Sequence, residues 1–132
     1  MELTFPWPMT QGEWLAWSSA AVTILFGLIL LFLPNTGMKM LRVQASPDHP
    51  GTLAAARGTI AGFHLGVGVV CILLTPQLML YLALGFSWLF TAFGHLISIL
   101  SDRGNTLSNW IWLLLELALA ALPLAFSLGF IP

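Results

Sequence analysis

The chain has 132 residues, of which 58% are hydrophobic and 7% charged, with a formal net charge of −1 and a mean hydropathy of +0.93. Globular domains carry about 25% charged residues, so these few charges could not cover the surface of a soluble domain this apolar. Four Lys and Arg in total exclude nucleic acid as a partner, because phosphate binding needs clustered cations. The single cysteine, Cys71, lies in an apolar run and leaves no disulfide within the chain.

Met1 to Gly12 carries no basic residue before the first apolar run, and no small-x-small cleavage pattern follows that run. A retained span is therefore expected rather than a secretory signal. Trp14 to Leu33 is free of charge and about 30 Å long at 1.5 Å per residue, which predicts the first transmembrane helix. Phe5, Trp7, Trp14 and Trp17 crowd its start, as amphipathic rings do at a membrane surface. Pro34-Asn35-Thr36-Gly37 is a breaker cluster that ends the helix. Met38 to Val43 then reads as a short interfacial turn with Lys39 and Arg42 toward headgroups. Gln44 to Thr52 reads as a loop, in which Ser46, Asp48 and His49 are solvated rather than metal ligands.

The second span is expected at about 53–74. Ala54, Gly58, Gly62 and Gly66 recur every four residues and make a face on which another backbone can pack, a reading preferred to a ligand cleft. Arg57 and His64, two turns apart, share a face beside that stripe. Thr75-Pro76-Gln77 is a tight turn that makes spans two and three an antiparallel hairpin. The third span, about 78–100, carries Ser87, Thr91, His95, Ser98 and Asp102 on one helical face, which should point into the bundle because lipid offers such groups no partner. Trp88, far from either end, reads as a core or lipid-facing ring. After the connection Ser101 to Ser108 comes the fourth span, about 109–130, with Glu116 in its apolar run and a kink expected at Pro123.

The pattern predicts an all-α, polytopic membrane protein, a four-transmembrane-helix up-down bundle forming one domain over residues 1–132. Lys39, Arg42, Arg57 and Arg103 all fall on one side, whereas the other has only Glu2 and Glu13. The positive-inside rule then places both termini outside the cytoplasm, in the periplasm if the membrane is a bacterial inner membrane.

Helix rise estimates depth. Counted from the cytoplasmic ends, Arg57 lies about 6 Å in, His95 about 8 Å and Glu116 about 10 Å. A lone charge at that depth costs several kcal/mol, which predicts an Arg57–Glu116 ion pair with His95 alongside. Such a layer either locks helix register or floors a cavity where Arg57 holds an anionic or carbonyl headgroup and Glu116 or His95 exchanges a proton. The candidate ligand-binding residues are Arg57, His64, Thr91, His95, Ser98 and Glu116, and the candidate catalytic residues are Glu116 and His95. His64, about 16 Å deep, could face a haem iron with His95 only across a depth difference of about 8 Å. No cofactor and no metal are therefore expected.

The proline-ended first span with its Met38 to Val43 turn, Ala56-Arg57-Gly58 opening span two, and the glutamate of span four carry a resemblance. From about Leu25 to Phe126 the chain resembles a small bacterial four-helix membrane family described as a domain of unknown function, similar in layout to DoxX-type proteins. The resemblance implies a four-helix bundle and supplies no reaction. The leading functional reading is a non-enzymatic module, an accessory subunit or a binder of a lipophilic molecule. The alternative is a small intramembrane enzyme acting on a quinone, sterol-like or lipid substrate, with Glu116 and His95 as proton-transfer groups. A transporter is disfavoured, because no broken helices recur at matching positions. The partners expected are membrane lipids, a lipophilic small molecule, and a larger membrane complex or a second copy of the chain.

Overall fold

The computed structural model describes residues 5–41, 54–75, 77–102 and 105–132. Glu2, Arg42, Ser46, Asp48, His49, Pro76 and Arg103 lie outside the described residues. Among those described there is no strand, and five helices are present: α1 (Gln11–Phe32), α2 (Pro34–Met40), α3 (Ala56–Leu73), α4 (Leu78–Ser101) and α5 (Leu107–Ser127). All but α2 are apolar and long enough to cross a bilayer, since even the 18 residues of α3 reach about 27 Å. The fold is that of an all-α, multi-pass membrane protein with four spans.

Local chemistry sets the helix ends. Thr10 Oγ1 accepts from the Glu13 N–H at 3.2 Å, and Glu13 Oε2 accepts from the Thr10 N–H at 2.8 Å. This reciprocal box starts α1 at Gln11, three residues before the apolar run. At the other end Pro34 both stops α1 and occupies the first turn of α2, where its missing N–H costs nothing. The breaker cluster Pro34 to Gly37 is thus itself helical, and the short turn expected from Met38 is the end of a helix that begins at Pro34. In α3 the first turn, Ala56–Ile60, is wound as a π-helix, with the Ala61 N–H reaching back five residues to the Ala56 carbonyl. The Thr106 hydroxyl caps α5 by accepting from the Asn109 N–H at 3.2 Å.

Helix α1 is the centre of the packing. It lies against α3, α5 and α2, while α4 packs on α5. Ala16 and Ala20 of α1, Cys71 and Ile72 of α3, Tyr81, Leu84 and Trp88 of α4, and Leu119 and Ala120 of α5 form the main core. The backbone Gly12 N–H donates to the Pro132 carbonyl at 2.8 Å, so the start of the first span and the residues after the fourth meet at one end of the molecule. Large side chains on the outer faces, Phe63, Phe90 and Leu114 among them, are exposed and suited to acyl chains.

Gly68 and Gly85 are among the glycines on which close helix approach depends. A Cβ at Gly68 would stand 2.5 Å from the Ile24 side chain, and one at Gly85 equally near Leu124. The stripe Gly58, Gly62 and Gly66, which was expected to receive a neighbouring helix, meets nothing within 4 Å. Among the described residues it is not a packing face. Helices α3 and α4, though joined by a short turn, touch sparingly and leave an open seam between them.

The proline of α5 is accommodated by a side chain from α1. Pro123 has no N–H to give to the carbonyl four residues back, that of Leu119. Buried Ser19 Oγ donates to that carbonyl at 2.7 Å. The Thr23 hydroxyl donates to the Ser19 carbonyl at 2.8 Å and accepts from Trp88 Nε1 at 2.9 Å. A buried polar chain thus ties α4 to α1 and α1 to α5, which fixes Trp88 as a core ring.

Candidate functional site

Glu116 of α5 is 3% exposed, and its Oε2 lies 2.7 Å from Nδ1 of His95 on α4. The two helices bring them together for a simple reason. Ala92 and Leu113, each three residues before one member of the pair, belong to one buried cluster that presses this face of α4 on α5. The shared depth read from the sequence is therefore real for His95 and Glu116.

Arg57 does not join them. It is exposed, and among the described residues Glu116 has its ion pair with His95 and none with Arg57. The predicted Arg57–Glu116 pair is absent for a local reason. A π turn needs more residues per revolution than an α turn, so the heptad spacing that was to align Arg57 with His64 breaks between them. Arg57 sits in the second residue of α3, close enough to the helix end for its long side chain to reach headgroups.

The pair lines a cavity of about 180 Å³. Its walls come from α1 (Phe26, Ile29, Leu30), α3 (Ile60, His64), α4 (Trp88, Thr91, His95) and α5 (Trp112, Glu116), and Gly37, Met40 and Leu41 from α2 and its end close one side. Aromatic rings make much of the lining: Phe26 stands 6.0 Å from Trp88 and 5.7 Å from Trp112 between ring centroids. His64 packs edge-on against Trp88 at 5.5 Å, and its Nδ1 donates to the Ile60 carbonyl at 2.8 Å, since a carbonyl can only accept.

Of the candidate ligand-binding residues, His64, Thr91, His95 and Glu116 line this cavity, and Arg57 and Ser98 do not. Ser98 instead donates to Asp102 Oδ2 at 2.9 Å near the end of α4. The expected inward polar face of α4 is thus divided. Ser87 and Thr91 are exposed along the α3–α4 seam and give their protons to the carbonyls of Ala83 and Ser87, while only His95 finds a partner on another helix. Sequence reasoning missed Phe26, Trp112 and the α2 wall. Trp112 was within reach of it, because it lies four residues before Glu116 and so on the same helical face.

An apolar wall bears on the state of the pair. A net charge facing hydrocarbon costs several kcal/mol, so one proton shared between Glu116 and His95 keeps the pair neutral overall. Either placement of that proton, on the carboxyl or on Nδ1, leaves hydrogen on Nε2 of His95. Nε2 has no hydrogen-bond partner among the described residues. The Nε2–H of His95 is therefore an unspent donor of a site whose lining is otherwise largely apolar.

Fold and site together define a small multi-pass membrane protein with a partly buried carboxyl–imidazole pair on the wall of an apolar cavity. Residues 12–127 match the family described as a domain of unknown function, DUF4345, and the chain belongs to that family. No curated protein and no solved structure matches the chain.

Proposed function

We propose that this protein binds a lipophilic molecule bearing an acceptor oxygen, with the His95–Glu116 pair as the polar contact. The observation that carries the reading is the 2.7 Å pair on the wall of an apolar cavity. Binding sites in membrane bundles are mostly apolar with a few placed polar groups, and an intramembrane ionisable residue is a functional candidate in its own right. The same pair could pass its shared proton to the bound oxygen, which is the step an intramembrane enzyme on a quinone, sterol-like or lipid substrate would add.

The test is extraction from native membranes into nanodiscs, followed by mass spectrometry of retained lipids. One enriched lipophilic species is expected with the wild type. The double variant His95→Leu with Glu116→Leu removes the Nε2 donor and strands neither partner, so the species should be lost while the bundle stays folded. Equal retention by both proteins would sink the reading.

A second reading, an accessory subunit or homo-oligomer, is favoured by the Gly58, Gly62 and Gly66 face, which nothing among the described residues covers. In either reading the cationic end carrying Lys39 and Arg57 faces the cytoplasm, and both termini lie on the far side of a bacterial inner membrane.

A further inference from the structure

The seam between α3 and α4 holds a second groove of about 210 Å³, lined by Thr23, Phe63, Val67, Leu84 and Ser87. It shares His64, Trp88 and Thr91 with the cavity at Glu116, so the two spaces meet at the His64–Trp88 ring contact. They differ in chemistry. Every hydroxyl along the groove is already spent on a carbonyl: Thr23 on Ser19, Ser87 on Ala83 and Thr91 on Ser87. The groove therefore has no hydroxyl proton left to offer an occupant, whereas the cavity has the free Nε2–H of His95.

We propose that the ligand is a two-part lipid, a single carbonyl-bearing ring seated at His95 and an aliphatic chain leaving past Trp88 along the α3–α4 seam into the bilayer. This rests on the ligand-binding reading above and adds the class of ligand and its route. Size supports the ring: an apolar cavity of about 150 Å³ holds one benzene, so about 180 Å³ has room for one substituted six-membered ring. Route follows from exposure. Phe63 and Ser87 on opposite walls of the groove are exposed, so a chain lying between them stays in contact with hydrocarbon. Because acyl chains are as apolar as the groove, the seam contributes access and shape selection rather than hydrophobic affinity.

The experiment uses the full chain in nanodiscs and two probes, trimethylbenzoquinone and its decyl derivative, titrated against tryptophan fluorescence, since Trp88 and Trp112 line the cavity. The readout is the ratio of the two dissociation constants. Ser87→Trp and, from the facing wall, Val67→Phe should shift that ratio against the decyl probe by tenfold or more, and Phe90→Trp on the outer face should leave it where it is. A ratio unmoved by both groove variants overturns the seam route. Quenching by neither probe, while wild-type protein still retains a lipid, overturns the single-ring class and leaves the binding reading standing. Neither quenching nor a retained lipid overturns both.

Discussion

Leu119 shows how a single carbonyl can tie two helices together. Pro123 deprives it of its helical donor, lipid cannot supply one, and Ser19 of α1 does so at 2.7 Å. Ser19→Ala should cost about 1–3 kcal/mol in a reversible detergent unfolding titration, the usual penalty for stranding a buried acceptor. In a Pro123→Ala background the carbonyl regains an N–H from its own helix, so the same substitution should cost clearly less. Additive costs would show that Ser19 acts elsewhere. The His95–Glu116 pair admits a similar cycle: removing one partner strands the other, whereas His95→Leu with Glu116→Leu should recover stability to near wild type. If the pair only locks register, nothing else is lost; if it binds ligand, retention of the lipid disappears with stability intact. The common depth of His95 and Glu116 was legible in the sequence, though the pairing expected there was Arg57 with Glu116, because axial depth grows by a constant 1.5 Å per residue on any straight helix. Azimuth is less forgiving, and one π turn at Ala56–Ile60 was enough to take Arg57 off the expected face.

At the scale of elements, the four spans follow from apolar length, and their ends depend on chemistry that length does not report. The Thr10-x-x-Glu13 box carries its own sequence signature, yet counting charge-free residues places the start at Trp14. Pro34 likewise reads as a stop when only the preceding helix is considered, and as a start once α2 is seen. Glycines divide in the same way, because periodicity locates a smooth face without saying what lies opposite. Gly68→Leu should destabilise the monomer by about 1–3 kcal/mol or more, since Ile24 and the Ala20 carbonyl already occupy the space. Gly62→Leu should leave monomer stability unchanged or raise it by up to about 1 kcal/mol through helix propensity. If the stripe docks another helix, Gly62→Leu should also dissolve that assembly in native mass spectrometry. Loss of stability from Gly62→Leu in the monomer would contradict the open face.

For the molecule as a whole, the hydrogen bond between the Gly12 N–H and the Pro132 carbonyl brings the two ends of the bundle's path together, as an even number of spans requires. Which way that shared end points depends on Lys and Arg alone, since acidic residues bear little on orientation. Glu13 illustrates why: it is 6% exposed and bound to the Met9 and Thr10 N–H groups, so it is a helix cap rather than a surface charge. Lys39 and Arg57 lie toward the opposite end, at α2 and the start of α3. Cysteine labelling can read the orientation directly, because the native thiol, Cys71, is 1% exposed and should stay silent. A membrane-impermeant maleimide added to intact cells is expected to label Met9→Cys, whose position is 84% exposed. Asn35→Cys, exposed on α2, should react only after permeabilisation. Neither substitution alters the number of cations, so the probe does not disturb the determinant it reports. The reverse labelling pattern would turn the molecule over in the membrane and place the cavity wall formed by α2, and with it the His95–Glu116 pair, near the outer leaflet.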